Sequence, residues 1–314
     1  MTSNALAARL KLLIKKRPAL VGLAARALGL SKGIKVTVNS DRWDFVKGTS
    51  IIRISKKHYL YAEDIINFFD YYTKAVVPLK YNGMDLVDYS TPRYHDVVGY
   101  ESQPVFFPSF SEPVSTTMQY SDFAALKTGD TVLDLGAYSG LTSMIFKDAA
   151  GPQGIVVAVD ADESNLLAIE KNLRLYERIA KNRIEILAGA VWSHNDGLEF
   201  SAEGNMGSSA ASLVGSERGA IRKVPSFTLG AIAARFNLAK VDFIKCDIEG
   251  AESVIFEDLA FLNRFSPKII IEAHLIGGVA TTGKFKGDLE KAGYRFKEIP
   301  QIGGALPLIE CYPG

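Results

Sequence analysis

The chain has 314 residues, 47% hydrophobic and 23% charged, which is a globular composition and enough length for one large domain with an appendage. Its net charge of +1 hides an asymmetry. Residues 1–40 carry eight basic groups and no acid, leaving 28 basic against 35 acidic groups beyond them, a balance that speaks against nucleic-acid binding by the whole protein. Two cysteines, Cys246 and Cys311, exclude a disulfide framework, and no run of about 18 uncharged apolar residues offers a membrane span. A cytoplasmic, reducing setting is expected, because Lys15, Lys16, Arg17 and Arg26 interrupt any signal-peptide core.

Residues 4–16 and 18–29 read as two short helices, with Pro18 in the first turn of the second. Leu10, Leu12, Leu13 and Ile14, then Leu20, Val21, Leu23 and Leu28, give each an apolar stripe. A basic amphipathic segment over residues 1–33 suits peripheral contact with the inner, anionic face of a membrane, or packing on the protein with its lysines in water.

Residues 34–120 read as an accessory α+β region, part of which covers the active site. Ile34–Val38 and Ser50–Ser55 alternate like strands, and Tyr59–Lys74 is amphipathic and helical, with Ile65, Phe68 and Phe69 inward. Asn82-Gly83 between Val76–Tyr81 and Met84–Ser90 predicts a type I′ hairpin. The run from Val105 to Pro113, rich in proline and phenylalanine, leads into the second half.

Residues 121–314 alternate strands and helices. Strands are predicted at Val132–Leu135, Ile155–Asp160, Ile184–Leu187, Val241–Asp247, Lys268–Glu272, Tyr294–Glu298 and Leu306–Tyr312. Helices are predicted at Leu141–Ala149, Glu163–Tyr176, Leu229–Phe236, Ala251–Asn263 and Gly283–Ala292. Repeated β–α units imply an α/β fold with a doubly wound, mostly parallel sheet, whose ligands bind at the carboxyl ends of the strands.

The residues at those ends carry the chemistry. The first strand leads into Asp134, Gly136, Ala137, Tyr138, Ser139 and Gly140, a strand–glycine turn–helix arrangement suited to a nucleotide-like ligand. The spacing is G-x-x-x-G, not the dinucleotide fingerprint G-x-G-x-x-G. An acid at that strand end repels a pyrophosphate and welcomes a cation, such as the amino group of S-adenosylmethionine. Asp160, 24 residues beyond Gly136, is placed to accept from two ribose hydroxyls, followed by Ala161, with Asn165 in support and Asp162 as a helix cap. Ala190 and Val191 suit a slot whose backbone faces an adenine edge, or a tight packing turn. Asp247 and Glu249 follow the fourth strand, and Glu272 and His274 share one face after the fifth, with His274 a candidate general base.

Taken together, Val132-Leu133-Asp134-Leu135-Gly136-Ala137-Tyr138-Ser139-Gly140, Val157-Ala158-Val159-Asp160-Ala161-Asp162, Lys245-Cys246-Asp247-Ile248-Glu249-Gly250-Ala251-Glu252 and Glu272-Ala273-His274 resemble the FkbM family of S-adenosylmethionine-dependent methyltransferases. The resemblance spans residues 130–275, with Asp160 where the family often has Glu. It implies a seven-stranded, Rossmann-like class I methyltransferase sheet and S-adenosylmethionine as cofactor. It further implies an oxygen acceptor, often on a sugar or glycan. Gly207-Ser208-Ser209-Ala210 resembles a family serine cluster that approaches the substrate.

Methyl transfer from a sulfonium is an in-line displacement, helped by a base that takes the acceptor's proton. His274 and Asp247 are the candidates, with Glu249 and Glu272 orienting the base or gripping hydroxyls, and no metal is expected. Two rivals stand beside this reading. Asp160-Ala161-Asp162 resembles the D-x-D metal site of nucleotide-sugar glycosyltransferases, and a non-catalytic membrane-surface adaptor would use the basic N-terminus.

Overall fold

The computed structural model describes residues 18–202, 209–210, 220–276, 278–304 and 306–314, so the predicted helix over 4–16 lies outside the described residues. The chain divides into two compact units, Met1–Val114 and Ser115–Gly314.

The first unit contains a five-stranded sheet in the order Lys35–Val38, Arg42–Lys47, Ser50–Ser55, Met84–Tyr89, Leu79–Tyr81. Its pairings are antiparallel except that between Ser50–Ser55 and Met84–Tyr89. Trp43, Phe45, Ile52 and Ile54 are fully buried. The hairpin turn at Asn82 and Gly83 has φ of 49° and 77°, as a type I′ turn requires. One expectation is corrected. The helix predicted over Tyr59–Lys74 is three short pieces, broken where Phe68 adopts φ −122°, ψ 33°; Ile65 and Phe69 are buried and Phe68 is half-buried. In the helix Pro18–Ser31, the inward face is Gly22, Ala25 and Gly29, while Leu20, Leu23 and Leu30 are exposed. Close approach explains this choice of face, since a Cβ at Gly29 would lie 2.6 Å from the Ile34 carbonyl oxygen. The strand Arg42–Lys47 and the hairpin Arg93–Val97/Tyr100–Phe107 are additions to the predicted elements.

The second unit opens with helix α1 (Val114–Ala124) and then runs β1 (Thr131–Leu135), α2 (Leu141–Ala150), β2 (Ile155–Asp160), α3 (Glu163–Ala180) and β3 (Glu185–Ala188). It continues with α4 (Leu229–Arg235), β4 (Phe243–Cys246), α5 (Glu252–Ile255), α6 (Leu259–Phe265), β5 (Lys268–Glu272), α7 (Thr282–Lys291), β6 (Arg295–Ile299) and β7 (Leu308–Tyr312). The sheet order is β3-β2-β1-β4-β5-β7-β6. All neighbours are parallel except β7, which runs antiparallel to β5 and β6. The central strands are apolar on both faces because helices cover both, so Leu133, Val157, Ile244, Ile269, Ile270 and Ile271 are fully buried. The helix predicted over Ala251–Asn263 is two, α5 and α6, because the Asp258 carboxylate caps a new start by accepting from Phe261 N.

An excursion between β3 and α4 carries further pairing beyond the predicted strands. Ala190–Val191 pairs in parallel with Ser226–Phe227, and Leu198–Ala202 pairs with Ser209–Ala210 and Ala220–Val224. The strand order reverses between β1 and β4, which places a crevice at their carboxyl ends.

Candidate active site

The first wall of the crevice is the turn after β1. Gly136 and Gly140 both have φ of 78°, and Tyr138 has φ of 52°, a left-handed conformation that costs a non-glycine residue on the order of 1 kcal/mol or more. The Asp160 carboxylate holds that turn: Oδ2 accepts from Tyr138 N at 2.9 Å and Oδ1 from Asp162 N at 2.9 Å, with Asn165 Nδ2 adding weaker bonds at 3.3 and 3.4 Å. Burial pushes Asp160 up to about 7, and the backbone donors Asp162 N and Tyr138 N only partly offset it. Asp162 caps α3 by accepting from Ser164 N and Asn165 N, as expected. Asn172, fully buried in α3, donates to the Ser139 carbonyl at 2.9 Å.

The second wall is the end of β4. Gly136 lies so close to it that a Cβ there would fall 1.7 Å from the Asp247 carbonyl oxygen. Asp247 and Glu249 have 31% and 25% of their side chains exposed, and Glu249 sits at φ of 52° ahead of Gly250 at 104°. Burial, only partly offset by His274, pushes Glu249 up to about 8, with Asp247 adding to the rise.

His274 closes the site from the end of β5. Its Nδ1 lies 3.0 Å from Glu252 Oε1, and its Nε2 lies 3.5 Å from Asp247 Oδ1 and 3.6 Å from Glu249 Oε1. Glu252 is fully buried, and its carboxylate also accepts from His274 N, Thr281 Oγ1 and Gly250 N. Burial pulls His274 down, but Glu249, Glu252 and Asp247 together raise it well above the usual histidine value. Glu252 is held below the usual carboxylate range: burial raises it, and the bonds and charge of His274 outweigh that. Glu272 accepts from the Tyr120 hydroxyl at 2.9 Å, and burial followed by Asp247 raises its pKa. Asp247, Glu272 and His274 each offer a ligand atom within 4.8 Å of the others, a spacing open to a shared proton or a cation.

The expected residues therefore fall into two groups. Gly136, Ala137, Tyr138, Gly140, Asp160, Ala161 and Asn165 form one wall; Asp247, Glu249, Glu272 and His274 form the other. Asp134 does not face the crevice. It is fully buried, its carboxylate accepts from Ser143, and its other oxygen lies 3.5 Å from Lys245 Nζ. Ser139 is also buried, and the N–H of Ala190 is spent on the Pro225 carbonyl, so that slot is closed as a hydrogen-bond donor; Val191 is buried beside it. Of the serine cluster, Gly207 and Ser208 lie outside the described residues, and Ser209 donates to the Glu249 carbonyl at 2.7 Å. The metal-dependent rival loses one ligand, because Asp162 is 1% exposed and spent on its cap.

Four residues that matter here have no role assigned from the sequence: Lys245 and Glu252, which stand only as the ends of a motif run, and Tyr120 and Thr281. A lysine inside an apolar strand, as at Lys245, is the one readable signal among them.

The sheet order, with one antiparallel strand at position six, and an acid-lined glycine crevice define a class I methyltransferase fold. The Methyltransferase FkbM domain matches residues 134–296, just over half of the chain. The chain belongs to the FkbM family and is an S-adenosylmethionine-dependent methyltransferase. Among solved structures, it is similar to the methyltransferase FkbM of Methylobacillus flagellatus at 12% identity and TM-score 0.45, covering 93% of this chain and 59% of that one. It is also similar to a precorrin-6y C5,15-methyltransferase of Geobacter metallireducens, at 13% identity and TM-score 0.41, covering 64% of this chain and 88% of that one. A third is the fibrillarin of Aeropyrum pernix with natively bound S-adenosyl-L-methionine, at 11% identity and TM-score 0.40, covering 89% of this chain and 98% of that one. Comparison with curated proteins returns no match.

Proposed function

We propose that this methyltransferase acts on an acceptor hydroxyl, on a sugar or glycan, with His274 as general base. The residues of the crevice fit the cofactor. Gly136 lets the turn after β1 lie directly against the end of β4, Asp160 at the end of β2 is suited to ribose hydroxyls, and Asp247 supplies negative charge for a cationic ligand. When bound, S-adenosylmethionine supplies the sulfonium methyl group that is transferred.

The observation that carries the base is the pairing of His274 with Glu252. A fully buried carboxylate on Nδ1 fixes the ring and its tautomer, so that Nε2 faces the crevice between Asp247 and Glu249. An acceptor hydroxyl within hydrogen-bond reach of Nε2 gives its proton to that nitrogen as its oxygen attacks. Asp247 and Glu252 then stabilise the imidazolium. Glu272, held by Tyr120, is placed to accept from a second hydroxyl, which favours a polyhydroxylated acceptor.

Methyl transfer from radiolabelled S-adenosylmethionine to a panel of sugar and non-sugar hydroxyls tests the reading. His274→Ala is expected to lose roughly 10²–10⁴-fold in turnover while S-adenosylhomocysteine binds as before. A dead Asp247→Asn variant beside an active His274→Ala variant would transfer the role to Asp247. For residues 18–33, the exposed Leu20, Leu23 and Leu30 beside Arg26 and Lys32 favour contact with an anionic membrane surface, which would bring the enzyme to a lipid-linked glycan. No described helix is long and apolar enough to cross a membrane.

A further inference from the structure

Lys245 lies in the middle of β4, where both faces of the strand are buried, and its side chain is 5% exposed. Lysine is almost never buried unless paired, and an apolar residue at this point would avoid the cost of desolvating an ammonium. In register, Lys245 stands opposite Asp134 on β1, so the simplest account is a structural counter-charge. That account does not explain where the hydrogen bonds of the ammonium go. Nζ donates to the Gly136 carbonyl at 2.7 Å and to the Leu135 carbonyl at 3.3 Å, but lies 3.5 Å from Asp134 Oδ1, an oxygen with no hydrogen-bond partner. It lies 3.4 Å from Asp247 Oδ2. The ammonium thus sits between the two acids at nearly the same distance from each, while its hydrogen bonds go to the glycine turn.

We propose that Lys245 is a positioning residue for the cofactor, tying the Gly136 carbonyl to the Asp247 carboxylate and so fixing the two walls of the crevice against each other. The turn is built from left-handed backbone at Gly136 and Tyr138, and a carbonyl anchored by a charged donor is a means of keeping it in that shape before the ligand arrives. The proposal rests on the reading of this crevice as the cofactor site.

The test is S-adenosylhomocysteine binding by calorimetry on the full chain. Lys245→Met alone leaves Asp134 buried without its cation and is expected to lower the melting temperature. The double variant Asp134→Asn/Lys245→Met removes both charges while the introduced amide oxygen still accepts from Ser143. It is expected to melt near the wild type yet bind S-adenosylhomocysteine at least 10-fold more weakly. Binding by the double variant at wild-type affinity would make Lys245 a counter-charge and nothing more, and overturn the proposal. Asp160→Ala serves as control: if it too binds as wild type, the crevice reading has failed and not the role of Lys245. A measurement on unaltered protein stands beside the variants. In ¹⁵N-lysine spectra the Lys245 ammonium is expected to be protected from exchange and to shift on adding S-adenosylhomocysteine; an unmoved, rapidly exchanging resonance would also overturn the proposal.

Discussion

Glu252 holds His274 twice, accepting from its ring Nδ1 at 3.0 Å and from its backbone N–H at 3.1 Å through the same oxygen. The two residues come from different β–α units, α5 and the end of β5, so the bond also sets the distance between those elements. Removing the carboxylate takes a fully buried acceptor away from the His274 ring, the Thr281 hydroxyl and the Gly250 N–H. Glu252→Ala is expected to cost about 3–5 kcal/mol of stability, the range for breaking a buried pair by deleting one partner. Glu252→Gln keeps one acceptor and is expected to fold, with turnover reduced because the ring loses its fixed orientation. Denaturant unfolding and turnover on the two variants check this; full turnover in Glu252→Gln would make the pair purely structural.

The same carboxylates set a pH dependence. His274 is raised above the ordinary 6.5, so its base form is populated only above that raised value, and the acid limb of kcat/KM is expected on the alkaline side of 6.5. The stabilising effect of the charged ring is fully present below 6.5 and lost as pH rises through the raised value. Glu252, held low, contributes stability above 4.5 that is lost as pH falls through its folded value. Unfolding free energy from this pair is therefore expected to be largest between those limits, at about pH 6. A kcat/KM profile with its limb at or below 6.5 would rule out His274 as the titrating base.

Asp160 links cofactor binding to protons in the opposite sense. Its pKa of about 7 means that near neutral pH much of the free enzyme carries a proton there, whereas ribose hydroxyls donate best to the ionised form. Calorimetry in buffers of different ionisation enthalpy is expected to show a proton released on S-adenosylhomocysteine binding at about pH 6 and almost none at about pH 8.5. Because the folded value is raised above 3.8, the linked stability is present below 3.8 and lost as pH rises through about 7. Asp160→Ala is expected to weaken binding by roughly 1.5–3 kcal/mol and abolish the proton release. Unchanged affinity would remove the ribose from Asp160.

The catalytic half was legible from sequence because its signals are local. Apolar runs of four to six residues bounded by glycines and acids mark parallel strands buried on both faces, and the acids at their ends fall where the switch point puts ligands. Direction within a strand end was harder to read. Asp134 and Lys245 turn inward to each other across β1 and β4, a relation that exists only once the strands pair, so Asp134 looked like a cofactor ligand in sequence. Glu252 was masked for the same reason, since its partners His274 and Thr281 are distant in sequence. In the first unit, the apolar stripe of Leu20, Val21, Leu23 and Leu28 leaves membrane contact and packing on the protein both open in sequence, and close approach to the sheet selects Gly22, Ala25 and Gly29 for the inward face.

An apolar face of the helix Pro18–Ser31 looks outward: Leu20 is 40% exposed, Leu23 60% and Leu30 76%, with Arg26 and Lys32 also exposed. Within residues 1–40 eight basic groups meet no acid. A basic group near an anionic leaflet contributes about 1 kcal/mol, and the attraction decays within a Debye length of about 8 Å at physiological salt. The leucines add apolar burial in the headgroup region at roughly 25 cal/mol per Å². Flotation with anionic vesicles is therefore expected to recover the protein at low salt and to lose most of it as salt rises, while neutral vesicles recover little. Leu23→Ser/Leu30→Ser should lower recovery at fixed charge, because both side chains already face solvent and their loss leaves the fold intact. Equal recovery on anionic and neutral vesicles, or no effect of the leucine pair, would reduce this helix to a solvated face.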